Sequence, residues 1–138
     1  MNWQNAKLVS AGLLLLRVGV CALMLTHGLA KLNGFADMHD KFPDPLSMGS
    51  KVSLILAIVA EVGCSLLLAV GFLTRLAAIP LMVTMGVALF AVHAADPWKV
   101  KELAASYLLI YATLVLTGPG LFSVDRAVFG RNKVEAAA

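Results

Sequence analysis

Four stretches of the chain, about Leu8 to Leu32, Val52 to Leu73, Arg75 to Ala95 and Lys99 to Thr117, are apolar almost throughout. Each is close to the roughly 20 residues that a helix needs to cross a bilayer. The first is longer than the core of a cleaved leader and is interrupted by Arg17, so it reads as a retained span. The links Phe72-Leu73-Thr74-Arg75 and Ala95-Asp96-Pro97-Trp98 are too short for neighbouring helices to separate. Successive spans must therefore pack antiparallel, which predicts an all-α, integral membrane four-helix bundle of up-down-up-down topology. Both ends of the chain then lie on one face, side A, and the opposite face is side B.

Only the connection from Asn33 to Ser50 is long. Phe35, Met38 and Phe42 recur there at helical spacing before Pro43-Asp44-Pro45 stops any helix, which predicts a short helix lying on the membrane surface. Trp98 beside Lys99 and Lys101 fits an interfacial anchor. The last span ends at Gly118-Pro119-Gly120. Ser123 is then placed to cap a short amphipathic helix through Phe129, with Asp125 in its first turn, and Asn132 to Ala138 reads as a frayed tail.

Composition agrees with a lipid environment: 60% of the 138 residues are hydrophobic and only 14% charged, against about 25% charged in ordinary soluble domains. The spans, loops and tail use the whole length, so a separate soluble domain does not fit. Cys21 and Cys64 lie within apolar runs and form no C-x-x-C pair, which argues against a metal site or a thioredoxin-like motif. The net charge of +3 is spread over both ends and gives no case for nucleic acid. Lysine and arginine divide evenly between the two sides, so the positive-inside rule does not choose an orientation; cytoplasmic termini are the working expectation.

Against this background the ionisable residues inside the spans stand out. Arg17 and Glu61 each cost about 2.5 to 3.5 kcal/mol at a helix centre if left alone. Counting depth at ~1.5 Å per residue brings them within roughly one helical turn of each other, as partners in a central pair. Such a pair serves equally well as a register-fixing ion pair or as the lining of a ligand or proton site. Nearer side B, the same counting puts His27, Lys31, His93 and Glu102 in one slab. Arg17, Cys21, Met24, Gly28 and Lys31 recur at helical spacing, so the first span has one face not built for lipid. Lysine alone at a helix end commonly snorkels to the interface. Two histidines at equal depth facing a lysine and a glutamate read more readily as a site.

The remaining polar and soft residues carry less weight. Met24, Met82 and Met85 are expected to pack, and the cysteines to act as small hydrophobes. Tyr107 and Tyr111 could donate to a bound head group or serve as anchors. Ser106 and Thr113 are placed to bond across helices.

Several strings in order, His27-Gly28-Leu29-Ala30-Lys31-Leu32-Asn33-Gly34-Phe35, Glu61-Val62-Gly63, Val70-Gly71-Phe72-Leu73-Thr74-Arg75, Val92-His93, and Gly118-Pro119-Gly120-Leu121-Phe122-Ser123-Val124-Asp125, resemble the DoxX family over nearly the whole chain. The resemblance implies a small four-helix, multi-pass protein of the bacterial inner membrane. It also implies an association with redox systems such as thiosulfate:quinone oxidoreductase and with oxidative or thiol stress. The family's polar positions map onto Arg17, His27, Lys31, Glu61, His93, Glu102 and Asp125.

Three functions fit these residues. In the first, a redox subunit binds a quinone or quinol, with His27, Lys31 and His93 hydrogen-bonding the head group and Glu102 or Glu61 exchanging its protons; Arg17, Tyr107 and Asp125 complete the polar set. Electrons would come from an oxidoreductase partner or bound cofactor, because the chain has no Gly-rich dinucleotide loop and no cysteine cluster. Haem ligation by His27 and His93 is a variant of this reading. In the second, a proton-coupled carrier is built around Arg17 and Glu61, and so small a carrier would need a homo-oligomer. In the third, the chain is a scaffold that recruits a soluble oxidoreductase to the lipid bilayer.

Overall fold

The structure is a computed structural model that describes residues 2–135, with side chains to Gly130. Helix α1 spans Trp3–Asn33, α2 is the single turn Phe35–Met38, α3 runs over Ser50–Val70, α4 over Thr74–Val92, α5 over Trp98–Thr117 and α6 over Val124–Glu135. Helices α1, α3, α4 and α5 are long and apolar enough to cross a membrane. The all-α, four-span architecture is therefore as expected, with shifted ends. Helix α1 begins before Leu8 because the Asn2 side chain accepts from the Gln4 amide at 3.4 Å and starts it early. Helix α6 continues past Phe129 to Glu135, so the segment read as a frayed tail starts as helix, and 136–138 lie outside the described residues. Ser123 does cap α6, its Oγ accepting from the Arg126 amide at 3.2 Å.

The apolar pattern is that of a protein whose solvent is lipid. Large side chains such as Leu15, Phe90, Leu109 and Leu116 point outward, while the interior is built from Cys21, Met24, Leu68, Leu81, Met85 and Tyr111. Met24, Met82 and Met85 pack as expected. The face of α1 singled out by spacing is the buried one, carrying Arg17, Cys21, Met24 and Gly28. Helices α4 and α5 pack most extensively, and the buried Ala77, Ala78 and Ala104 on them leave room for close approach. Helix α1 packs along α3 but meets α5 only lightly. Ser106 and Thr113 do not bond across helices: their hydroxyls donate to the carbonyls of Glu102 and Leu109 one turn back.

Two spans contain π-helical stretches, Val59–Cys64 in α3 and Ala88–Val92 at the end of α4. Each widens the helix by a residue per turn, and such insertions concentrate at functional sites. Glu61 stands in the first, and His93 terminates the second with its amide donating to the Ala88 carbonyl.

Side A is closed by Arg17, and here the expected central pair is corrected. Arg17 does not meet Glu61. Its Nε donates to the Ala69 carbonyl at 3.2 Å, Nη1 to the Pro119 carbonyl and Nη2 to the Phe122 carbonyl at 2.8 Å. The depth count failed because α1 and α3 are offset: Gly28 packs against Glu61, while Arg17 lies beside the end of α3. The two charges are thus roughly 16 Å apart along the helix axis at ~1.5 Å per residue. Gly71, at φ +75, permits this close approach; a Cβ there would lie 2.9 Å from the Arg17 guanidinium carbon. The loop after α5 is held further by Ser10, whose Oγ accepts from the Leu121 amide at 3.0 Å.

Asp125 completes the closure from α6. Its carboxylate accepts from the Leu73 amide at 2.7 Å and the Thr74 amide at 2.9 Å, capping α4 from another helix. Replacing Arg17 with Met would leave the part-buried carbonyls of Ala69, Pro119 and Phe122 without its donors, at about 1–3 kcal/mol each. Arg17→Met is therefore expected to destabilise the bundle by at least about 3 kcal/mol, and Asp125→Ala by about 1 kcal/mol, in reversible unfolding from detergent micelles.

Candidate functional site

Towards side B the bundle opens into a cavity of about 430 Å³ with a largely apolar lining. Its ionisable groups are His27 and Lys31 from α1, Glu61 from α3, Tyr107 from α5 and His93 just after α4, with the hydroxyls of Ser53 and Thr84 also in the lining. Lys31 Nζ donates to Glu61 Oε2 at 2.7 Å; the glutamate side chain is 4% exposed and the lysine 21%. This is the ion pair the bundle makes, so Lys31 is drawn inward and does not snorkel. A glycine makes it possible. A Cβ on Gly28 would sit 2.8 Å from a Val62 methyl and 3.0 Å from the Glu61 backbone, so only glycine lets α1 lie this close to the π-helical turn. Lys31, three residues on, then reaches the carboxylate.

His27 meets Tyr107 edge to face, with ring centroids 6.0 Å apart. Tyr107 in turn stacks on Tyr111 at 6.1 Å. The Tyr111 hydroxyl and that of Ser65 are buried without hydrogen-bond partners, so polar atoms continue from the cavity into the middle of the bundle. His93 Nδ1 lies 2.6 Å from Asp96 Oδ2, an interaction that fixes the ring and leaves Nε2 for another partner.

The structure therefore gathers His27, Lys31, Glu61, His93 and Tyr107, and separates three other sequence candidates from them. Arg17 and Asp125 belong to the closure of side A. Glu102 is exposed and does not line the cavity. Its exclusion follows from helical phase: Val100, Ala104, Tyr107 and Tyr111 share the inner face of α5, and a residue two positions from Ala104 points away from it.

Sequence reasoning missed the roof. Phe42, Pro43, Pro45, Leu46 and Met48 of the first loop line the cavity, so Phe42 belongs there and not on a surface helix, which is only the turn Phe35–Met38. The loop is organised by Asp44. Its Oδ1 accepts from Ser53 Oγ at 2.8 Å and the Met48 amide at 2.9 Å, and its Oδ2 from the Gly49 amide at 2.8 Å. The signal for this was an aspartate between two prolines with a serine and a glycine following, which is turn chemistry. The Ser53 hydrogen bond, followed by those from Gly49 and Met48, holds the Asp44 carboxyl below its ordinary range.

Two outcomes test these contacts. Lys31→Met leaves a buried carboxylate unpaired and is expected to cost about 3 kcal/mol, whereas Lys31→Met with Glu61→Gln recovers much of the loss; thermal unfolding of both variants measures the coupling. For Asp44 the folded pKa is depressed, so its contribution is complete above the unfolded value of about 3.9 and fades as pH falls through the folded value. Amide-exchange protection at Met48 and Gly49 should hold at pH 5 and drop only under more acid conditions, and Asp44→Ala should abolish it at either pH.

The DoxX family model matches residues 12–94. The chain is 31% identical over 127 residues to the inner membrane protein YphA of Escherichia coli, covering 83% of this chain and 88% of that protein. It is likewise 31% identical over 124 residues to an uncharacterized protein of Haemophilus influenzae, covering 84% of this chain and 82% of the relative. No solved structure matches. Four apolar spans and this kinship place the protein in the bacterial inner membrane as a multi-pass protein. The chain belongs to the DoxX family.

Proposed function

We propose that the protein is the membrane subunit of a redox system and that its side B cavity binds the head group of a quinone or quinol. The observation that carries this reading is the Lys31–Glu61 pair, set in the wall of an otherwise apolar cavity with two imidazoles and a phenol. An apolar pocket with a few convergent polar groups is the usual form of a small-molecule site. A quinone ring is flat and apolar with a carbonyl at each end, and its reduction takes up two electrons and two protons. Lys31 Nζ is a donor for one carbonyl. His93, with Nδ1 held by Asp96, offers Nε2 to the other, and Glu61 and His27 are the groups that exchange protons with the bound ring. Electrons come from an oxidoreductase partner, as the redox associations of the DoxX family suggest.

The carrier reading finds less support, because Arg17 and Glu61 lie roughly 16 Å apart along the bundle and Arg17 is fully engaged by backbone carbonyls. A titration of the nitrogen-15-labelled imidazoles in lipid nanodiscs with 2,3-dimethoxy-5-methyl-1,4-benzoquinone tests the proposal. The His27 and His93 signals should shift saturably, and the apparent affinity should fall at least tenfold in Lys31→Met and Glu61→Gln. Imidazole signals indifferent to the quinone would sink it.

A further inference from the structure

A second apolar groove of about 550 Å³ runs along the seam where α1 and α5 meet only lightly. Its α1 wall extends from Gly12 through Leu16 and Gly19 to Leu23, roughly 16 Å of helix at ~1.5 Å per residue. Its α5 wall is Leu103, Tyr107 and Ile110. Leu103 and Tyr107 also line the side B cavity, so the two spaces share a wall at the point where His27 meets Tyr107. The groove offers almost no polar partner: Ser106 borders it, but its hydroxyl is spent on the Glu102 carbonyl at 2.8 Å. Gly12 and Gly19 keep its floor open, with no atom within 4 Å of where a Cβ would stand.

We propose that this groove holds the apolar tail of the ligand whose head group occupies the side B cavity, so that the protein selects a long-tailed, membrane-dissolved amphiphile over the same head group free in water. The inference rests on the head-group reading above. The two parts of the ligand meet different chemistry: the ring reaches the Lys31–Glu61 pair, and the chain passes Tyr107 and lies against Val20, Leu16 and Ile110, parallel to the helices. A chain in this groove leaves no polar group unpaired and exchanges one apolar contact for another. Its gain is therefore shape and fixed position, with the head group presented at one depth.

The glycines give the test its handle, since a Cβ at Gly19 or Gly12 meets no atom within 4 Å and Gly19→Leu or Gly12→Leu adds bulk to the groove. The protein in phosphatidylcholine nanodiscs is titrated with 2,3-dimethoxy-5-methyl-1,4-benzoquinone and with its 6-decyl derivative, following the same imidazole signals. The decyl compound is expected to lose at least tenfold in affinity in Gly19→Leu, while the tail-less ring binds as in the parent protein. Leu66→Trp, on the lipid-facing side of α3 and outside both spaces, should leave both unchanged.

If the decyl compound is indifferent to Gly19→Leu while both rings bind, the groove assignment is wrong and the head-group site stands. Selective loss of the decyl compound in Leu66→Trp instead would place the tail against the outer face of α3 and overturn the proposal. Binding of neither compound removes the head-group reading and this one with it. Conversion of a dimer to a monomer by Gly19→Leu, read by light scattering, would assign the groove to a second copy of the chain and also overturn it.

Discussion

A guanidinium placed in hydrocarbon has to be solvated by the protein, and the way Arg17 is solvated governs this bundle. No carboxylate supplies its hydrogen bonds. Carbonyls from the end of α3 and from the loop after α5 do so, and these are segments far apart in sequence. Satisfying all of them at once fixes the axial offset of α1 against α3 and draws the C-terminal segment across side A. Gly71 is needed for the approach, and Asp125 uses the position so gained to cap α4. Four hydrophobic rods could slide past one another in lipid at small cost; rods joined through one cation and its acceptors cannot.

The same offset decides what happens at the other end. Because Arg17 is drawn towards the close of α3, Gly28 and not Arg17 comes opposite Glu61, and the acidic residue takes Lys31 as its partner. The two π-helical stretches stand on the helices bordering the cavity, one carrying Glu61 and the other ending at His93. The molecule is thus tight and cross-braced at side A and open at side B, with polar chemistry confined to the open end.

Most of the architecture was legible in the chain because hydrophobic run length and link length are strong constraints in a membrane. The buried face of α1 could be read too, since Arg17, Cys21, Met24 and Gly28 keep helical spacing. The pairing of charges could not. Depth counting assumes that spans are centred alike, and an axial offset of about three turns transfers Glu61 from Arg17 to Lys31. Glu102 was placed at the right depth but on the wrong side of its helix, a matter of phase that depth does not report. The roof was hidden because Phe42 reads as a surface residue until Asp44 folds the loop over the cavity. Nothing in the local sequence announces a π-helical turn.

The light contact between α1 and α5 leaves this bundle an incomplete ring, and its last wall is whatever liquid surrounds it. In a bilayer a ligand's tail would compete for that seam with acyl chains held at fixed depth; in a micelle it would compete with a single-chained surfactant present at high concentration. An affinity measured in detergent is then a competition against the detergent, and an extraction step can empty or refill the protein before any assay begins. For a chain so thin that lipid completes its interior, the choice of solubilising agent is part of the chemistry under study.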